Sequence, residues 1–492
     1  MTSIGERVSA IRHARVAGPG KEHLVDDEPV DIHLDAGRIV DIAPVGALPI
    51  HGASVDAQGG WVVPGLWDNH AHTLQWALTS ERARLHEAGS AAEAAALTAA
   101  AGPLSDGRRI GSGFRDALWP EPPSLDALDA ATGDVETYLI NADVHSVWLN
   151  SAALRREGFS SDDGILREED AFEISKRLNA VEPRHGDRAV EAAARAAASR
   201  GVTGIVDFDM AWNADAWTRR VAAGFRSQHV EFAVYPEDLG KAIGAGLRTG
   251  APLVGGNGLV HVGPLKVITD GSLGTRTAAC THPYPGDESD HGVLNVSPTD
   301  LVDLLTEATG SGFAAAIHAI GDRAVSYALD AVTATGARGT IEHAQLVRHA
   351  DLARMARLGL AASIQPQHAL DDRDLVDGYW GGQTSIGYPM ASLLRAGVAL
   401  RFGSDAPVAP LDPWHAIAAA VHRTDDARLP WHSEERLSVD EAIAASVRST
   451  VRPGEAADLV ICATDPQTAS ATALRGMPVA ATLRGGYVTH GE

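Results

Sequence analysis

The stretch "WVVPGLWDNHAHTLQWA", residues 61–77, decides the fold. Its apolar run reads as a buried strand that ends on two histidines one residue apart, His70 and His72. Side chains two apart on a strand share a face, so the two imidazoles can point together. Neutral imidazoles suit zinc and borderline metals generally. Alone, an HxH pair is more often structural or superficial than metal-binding. The rest of the chain decides.

Seven further apolar runs follow: "GVTGIVDFD", "VEFAVYP", "LKVITD", "AAAIHAIG", "TIEHAQ", "AASIQP" and "ALRFGSDAP". Alanine-rich helical stretches such as "DLVDLLTEATGSG" and "RAVSYALDAVTATG" lie between them. Strand–helix alternation predicts a parallel sheet with helices outside it. With the first run these strands make the eight that close a (β/α)8 barrel. Several of the runs end in polar or ionisable residues. Lys266 and Asp270 lie on the fourth strand, His318 on the fifth, Glu342 and His343 on the sixth, Gln365 and His368 on the seventh, and Asp405 on the eighth. Such strand ends converge on the face where barrel enzymes keep their catalytic groups. Singly, His318 reads as a core histidine, Lys266 as a lysine reaching solvent and Asp405 as a turn cap. Jointly, burying them is costly unless a metal compensates their charges.

Composition narrows the setting. The formal net charge of -23, with no basic run, repels phosphate backbones and anionic lipid, so neither nucleic acid nor a membrane surface is expected as a partner. Two distant cysteines, Cys280 and Cys462, argue against a disulfide scaffold or a thiolate zinc site and fit a reducing compartment. The N-terminal "MTSIGERVSAIRHARV" lacks an apolar leader, and no apolar run reaches membrane-spanning length, so a cytoplasmic protein is expected.

Both chain ends look alike. "VDIHLDAGRIVDIAPV" alternates about a turn at Asp35-Ala36-Gly37, and "AADLVICA" and "PVAATLRGGYVTHGE" are also strand-like. A β-sandwich from residues 1–63 and 449–492 is predicted, with the barrel over 64–73 and 201–448. Residues 74–200 are too many for one crossover helix and are read as an inserted subdomain, with "VETYLINADVH" its best strand.

The sequence resembles the metal-dependent amidohydrolases, in particular the YtcJ-like proteins and N-substituted formamide deformylases. The resemblance covers nearly the whole chain. It rests on "VVPGLWDNHAH", "YLINADVHSVWLNSAAL", "LKVITDGSLGTRTA", "IHAIGDRAV", "IEHAQLV", "SIQPQH", "FGSDAPVAPLDPW" and "GEAADLVI", in that order. It implies a (β/α)8 barrel, a small β-sandwich built from both termini, and divalent metal, with zinc the default and one or two ions. By the same resemblance His70 and His72 bind the first metal and His318 and His343 the second. Lys266 bridges them as a carbamate formed with carbon dioxide, and Asp405 completes the first site and accepts a proton. Trp67 and Asn69 depart from the usual first-strand motif.

Resemblance also suggests that the insertion folds over the barrel mouth, where His145 could bond the carbonyl under attack; anchoring the insertion beside Asn150 is an equal reading. Trp119, Trp148 and Trp380 could line an apolar pocket, although aromatic residues more often just pack. Asp270 and Arg276 are candidates for orienting substrate or for bracing the fourth strand's loop, and Gln365 and His368 for binding substrate, while Glu168 could reach the pocket from the insertion but reads more readily as a solvated helix charge. The expected reaction is hydrolysis of a non-peptide amide or N-formyl C–N bond of a small molecule. The alternatives are a deaminase or cyclic-amide hydrolase on the same metals, or a non-catalytic metal-binding member. A homodimer is compatible with the resemblance.

Overall fold

Near-continuous apolar runs between strong helix formers give a parallel sheet, buried on both faces, whose helices cover its outside. The computed structural model describes residues 3–23 and 28–491. The eight barrel strands are β1 (Leu66–Ala71), β2 (Val202–Asp207), β3 (His229–Val234), β4 (Val260–Ile268), β5 (Ala315–Ala319), β6 (Gly339–His343), β7 (Ala361–Ile364) and β8 (Ala399–Phe402). They pair in parallel in chain order, and each overlaps one of the predicted runs. The ring closes where β8 returns to β1. There Asp405 N donates to His70 O at 2.7 Å and His72 N to Ala406 O at 2.8 Å. Gly403 makes this seam possible, because a Cβ on it would stand 2.6 Å from His70 N. Asp68 ties the seam from within, its carboxylate accepting from Ser404 N at 3.0 Å and His70 N at 3.1 Å.

The run read as one first strand is two. Trp61–Pro64 belongs to the sheet of the chain ends and β1 to the barrel, with Gly65 between them. A side chain at Gly65 would stand 2.3 Å from Thr203 Oγ1, so glycine lets the chain step between sheets against β2. The terminal sheet runs Tyr487–Gly491, Val479–Arg484, Leu459–Cys462, Trp61–Pro64, Ala10–Val16, Val30–Asp35 and Arg38–Pro44, with Ser54–Asp56 beside Ala10–Val16. Its core packs Ile11, Ile32, Val62, Leu459 and Leu483. The predicted hairpin is present: Asp35 pairs with Arg38 across Ala36-Gly37.

Between β1 and β2 a separate five-stranded sheet runs Ile165–Arg167, Ser146–Leu149, Thr137–Asn141, Arg109–Phe114 and Ala83–Arg84. The strand expected through His145 ends at Asn141, and residues 142–145 turn instead. The sequence departures in β1 have a local cause. Asn69 Nδ2 donates to Phe402 O at 2.8 Å and its Oδ1 accepts from Arg448, whose guanidinium lies 3.8 Å over the Trp67 ring. Among the described residues no helix is long and apolar enough to cross a membrane.

Candidate metal centre and reaction cavity

The C-terminal strand ends bring their side chains to one buried point. His70, His343 and Asp405 offer ligand atoms that all lie within 4.8 Å of one another. Asp405 Oδ1 stands 3.4 Å from His70 Nε2 and 3.3 Å from His72 Nε2. His318 stacks edge-on to His343, ring centroids 4.5 Å apart. Lys266 lines the same cavity with its Nζ 4.7 Å over the Phe208 ring. His343 (φ 70°) and Asp405 (φ 57°) hold left-handed backbone, which a non-glycine residue adopts at a cost.

The donor set fits a divalent cation. Lys266 Nζ, His72 Nδ1 and Asp405 Oδ1 are buried without hydrogen-bond partners, an arrangement costly for protein groups alone. Burial holds the His70, His318 and His343 imidazoles below their ordinary pKa, hence neutral and able to donate a lone pair. Burial likewise lowers the Lys266 ammonium pKa and so favours its neutral amine.

Groups behind the ligands set their orientation. Glu342 Oε2 accepts a hydrogen bond from His70 Nδ1 at 2.6 Å, turning Nε2 toward Asp405, while the Thr340 hydroxyl donates to the other carboxylate oxygen. Gln365 Oε1 meets His343 Nδ1 at 2.8 Å. Asp207 accepts from Thr73 N at 3.2 Å and Trp217 Nε1 at 2.8 Å, and Asp209 accepts from Leu74 N at 2.6 Å. These two carboxylates fix the helix that starts just after His72. Burial, then the neighbouring Asp207 charge, pushes Asp209 up to about 7. Asp207 and Asp209 were missed in the sequence; two carboxylates two apart at the end of "GVTGIVDFD" were the available signal.

The insertion supplies the roof. His145 lines the cavity, its ring 5.7 Å from that of His318, and its Nδ1 meets Glu168 Oε2 at 3.1 Å. Burial would lower the His145 pKa, but the Glu168 carboxylate outweighs it and the value rises to about 8. Glu168, read as a solvated charge, is instead mostly buried against Thr277, whose hydroxyl donates to Oε1 at 2.6 Å. The cavity measures about 100 Å³. It shares Arg115, Asn141, Val144, Asp371 and Val408 with a cleft of about 1000 Å³ between insertion and barrel. Asp116, Asp143, Asp371 and Asp372 line it against one guanidinium, Arg115, which pairs with Asp371 at 2.9 Å.

Of the substrate candidates, His368 lines the cavity. The others do not. Trp148 is fully buried in the insertion's core, and Trp119 packs on Phe114 and donates to Ala88 O at 2.9 Å. Trp380 is buried in an apolar cluster with Leu375 and Tyr388. Arg276 is exposed. Asp270 accepts from the backbone of Ile320, Gly321 and Ala279 at 2.9–3.0 Å, bracing the loops after β4 and β5. Gln365 serves His343 rather than the cavity. Aromatic bulk inside a small α/β insertion was needed for its own core, which explains the two tryptophans.

An eight-stranded barrel with histidines and an aspartate gathered at its C-terminal mouth defines a metal-dependent hydrolase fold. The amidohydrolase family model matches residues 53–490, and the chain belongs to that family. It is 28% identical over 467 residues to the Arabidopsis thaliana protein LONG AFTER FAR-RED 3, covering 84% of this chain and 79% of the relative. It is 26% identical over 490 residues to YtcJ of Bacillus subtilis, covering 89% and 90%, and 25% identical over 417 residues to the N-substituted formamide deformylase of Arthrobacter pascens, covering 75% and 76%. A metal-dependent hydrolase from Pyrococcus horikoshii has the same fold, with a TM-score of 0.77 at 25% identity over 94% of this chain and 99% of that one. Family membership supports metal-dependent hydrolysis of C–N bonds in general.

Proposed function

We propose that the protein hydrolyses the C–N bond of an N-formyl or similarly small N-acyl amide. The observation that carries the reading is the convergence of His70, His72, His343 and Asp405 beside Lys266, whose buried amine has no partner. His70, His72 and Asp405 would hold one divalent ion, His318 and His343 a second, and Lys266, as a carbamate, would bridge them; zinc suits this set. When bound, such ions would supply Lewis-acid chemistry, lowering the pKa of water and polarising the carbonyl.

The chain's own groups do the rest. Asp405 accepts the proton released as water attacks and returns it to the leaving nitrogen. His145, its Nδ1 held by Glu168, presents Nε2 to the carbonyl oxygen and donates to it when the ring is protonated. The cavity of about 100 Å³ suits a small acyl group, and the adjoining cleft of about 1000 Å³ suits the nitrogen substituent. Four carboxylates against Arg115 line the smaller cavity and disfavour a carboxylate on the acyl group, whereas the cleft sets Arg84, Arg115, Arg188 and Arg475 against Glu81 and Asp371 and so admits an anionic nitrogen substituent.

The test is a panel of N-formyl, N-acyl and cyclic amides, each with neutral, ammonium or carboxylate substituents, offered to zinc-loaded protein. Turnover of amides with a small, uncharged acyl group is expected. Protein that retains no transition metal after gentle purification and loading, or that is loaded yet inert to every amide, overturns the reading.

A further inference from the structure

Away from the metal ligands, the insertion and the loop after β4 meet in one polar contact. Asp143 Oδ2 accepts from Ser272 Oγ at 2.6 Å, and Glu168 Oε1 accepts from Thr277 Oγ1 at 2.6 Å. Thr277 Oγ1 also accepts from Ser272 N at 3.0 Å and lies 2.6 Å from Thr275 Oγ1, so its own proton is directed at Glu168. The other Glu168 oxygen faces His145 Nδ1 at 3.1 Å. Asp143 Oδ1 accepts the backbone N–H of His145 at 3.0 Å. His145 is therefore held at backbone and ring by two carboxylates, both anchored on hydroxyls of one barrel loop. With Nδ1 occupied, Nε2 is the ring nitrogen left for the cavity.

The backbone independently marks this contact. Val144 (φ 58°), Glu168 (φ 50°) and Arg276 (φ 57°) all hold left-handed conformations. For Val144, branched at Cβ, this is a true outlier. Strain of that kind persists where surrounding structure enforces it, and it collects at working sites. The same signature appears at His343 and Asp405, at the metal centre.

We infer that Glu168 is a positioning residue: anchored by Thr277, it fixes the ring orientation of His145 so that Nε2 meets the reacting carbonyl. This rests on the amide-hydrolase reading for what His145 does, but not for how it is held. An ordinary docking contact would stabilise the insertion without acting through His145. A double-mutant cycle separates the two roles.

Glu168→Gln should lower kcat at least tenfold with KM and metal content near wild type, and Glu168→Asp should recover part of the loss. In the His145→Asn background, Glu168→Gln should change kcat less than twofold. If Glu168→Gln does not fold, Thr277→Val removes the anchoring hydroxyl and carries the same test, with a several-fold loss that vanishes without His145. Full activity in the variant that folds, or equal losses in both backgrounds, overturns the inference. A second readout needs no turnover. In histidine-15N-labelled, metal-loaded protein, a downfield His145 Nδ1–H resonance should be present and should be lost in Glu168→Ala, which leaves Nδ1 without an acceptor. If that resonance behaves as expected but no amide is hydrolysed, the proposed reaction fails and the positioning stands. If it is absent or survives the substitution, the positioning fails.

Discussion

Replacing Glu342 should weaken metal binding from outside the ligand set. Its side chain is fully buried on β6, where its carboxylate accepts from His70 Nδ1 at 2.6 Å and from the Thr340 hydroxyl. The carboxylate fixes which imidazole nitrogen carries the proton and makes Nε2 a better electron donor. Partners of this kind are worth about 10- to 100-fold in metal affinity. Glu342→Gln keeps an acceptor oxygen for the His70 N–H but loses the charge, so a loss of about tenfold, or ~1.4 kcal/mol, is expected. Glu342→Ala strands that N–H in a dry interior, where an unsatisfied donor costs about 1–3 kcal/mol, so the loss should approach 100-fold. The assay is dialysis of zinc-loaded protein against graded chelator, with residual zinc measured by mass spectrometry. Wild-type affinity in Glu342→Ala, or equal affinities in the two variants, would refute the reasoning.

Asp405→Asn should retain at least one metal ion yet lose about 10²–10⁴-fold in kcat, the worth of a positioned proton acceptor; unchanged turnover, with metal measured alongside, would remove that role. Lys266→Ala should lose metal and regain it when a short carboxylic acid is supplied to stand in for the carbamate, which metal analysis with and without the acid checks. Trp148→Ala should destabilise the protein by about 3–5 kcal/mol in thermal unfolding without changing KM, because the side chain is core of the insertion and not a wall of the cavity. In metal-free protein, His145 is raised from 6.5 to about 8 by Glu168, a difference of about 2 kcal/mol. Because the folded value is the higher one, this stability is fully present below pH 6.5 and lost as pH rises through 8. The stability gap between wild type and Glu168→Gln should therefore narrow over that window in denaturant titrations.

The barrel was legible because each of its strands is an apolar run interrupted by charge at one end. That pattern survives in one dimension, and the metal-ligand candidates sit at those interruptions. Partnerships were less legible. Glu342 could be read as a strand-end residue, but its partner His70 lies on β1, far away in the chain and three strands off across the β8–β1 seam. Aromatic residues were the poorest guide. Tyr138 and Trp148 lie on insertion strands buried on both faces, and nothing in a fully apolar strand tells a core face from a ligand face.

Backbone strain explains where local pattern failed most. The alternation of "VETYLINADVH" and the β preference of Val144 both argue for a strand continuing to His145. The chain instead leaves the sheet at Asn141 and forces Val144 to a positive φ. Glu168, in an acidic run before a helix, would by preference sit in solvent. It too holds a positive φ, and it turns back to His145. Both departures oppose local propensity, and both serve one histidine above the metal ligands. A sequence under no functional demand would have relaxed them with glycine or with a longer strand, so the positions where propensity loses point to His145 as part of the reaction cavity rather than part of the scaffold.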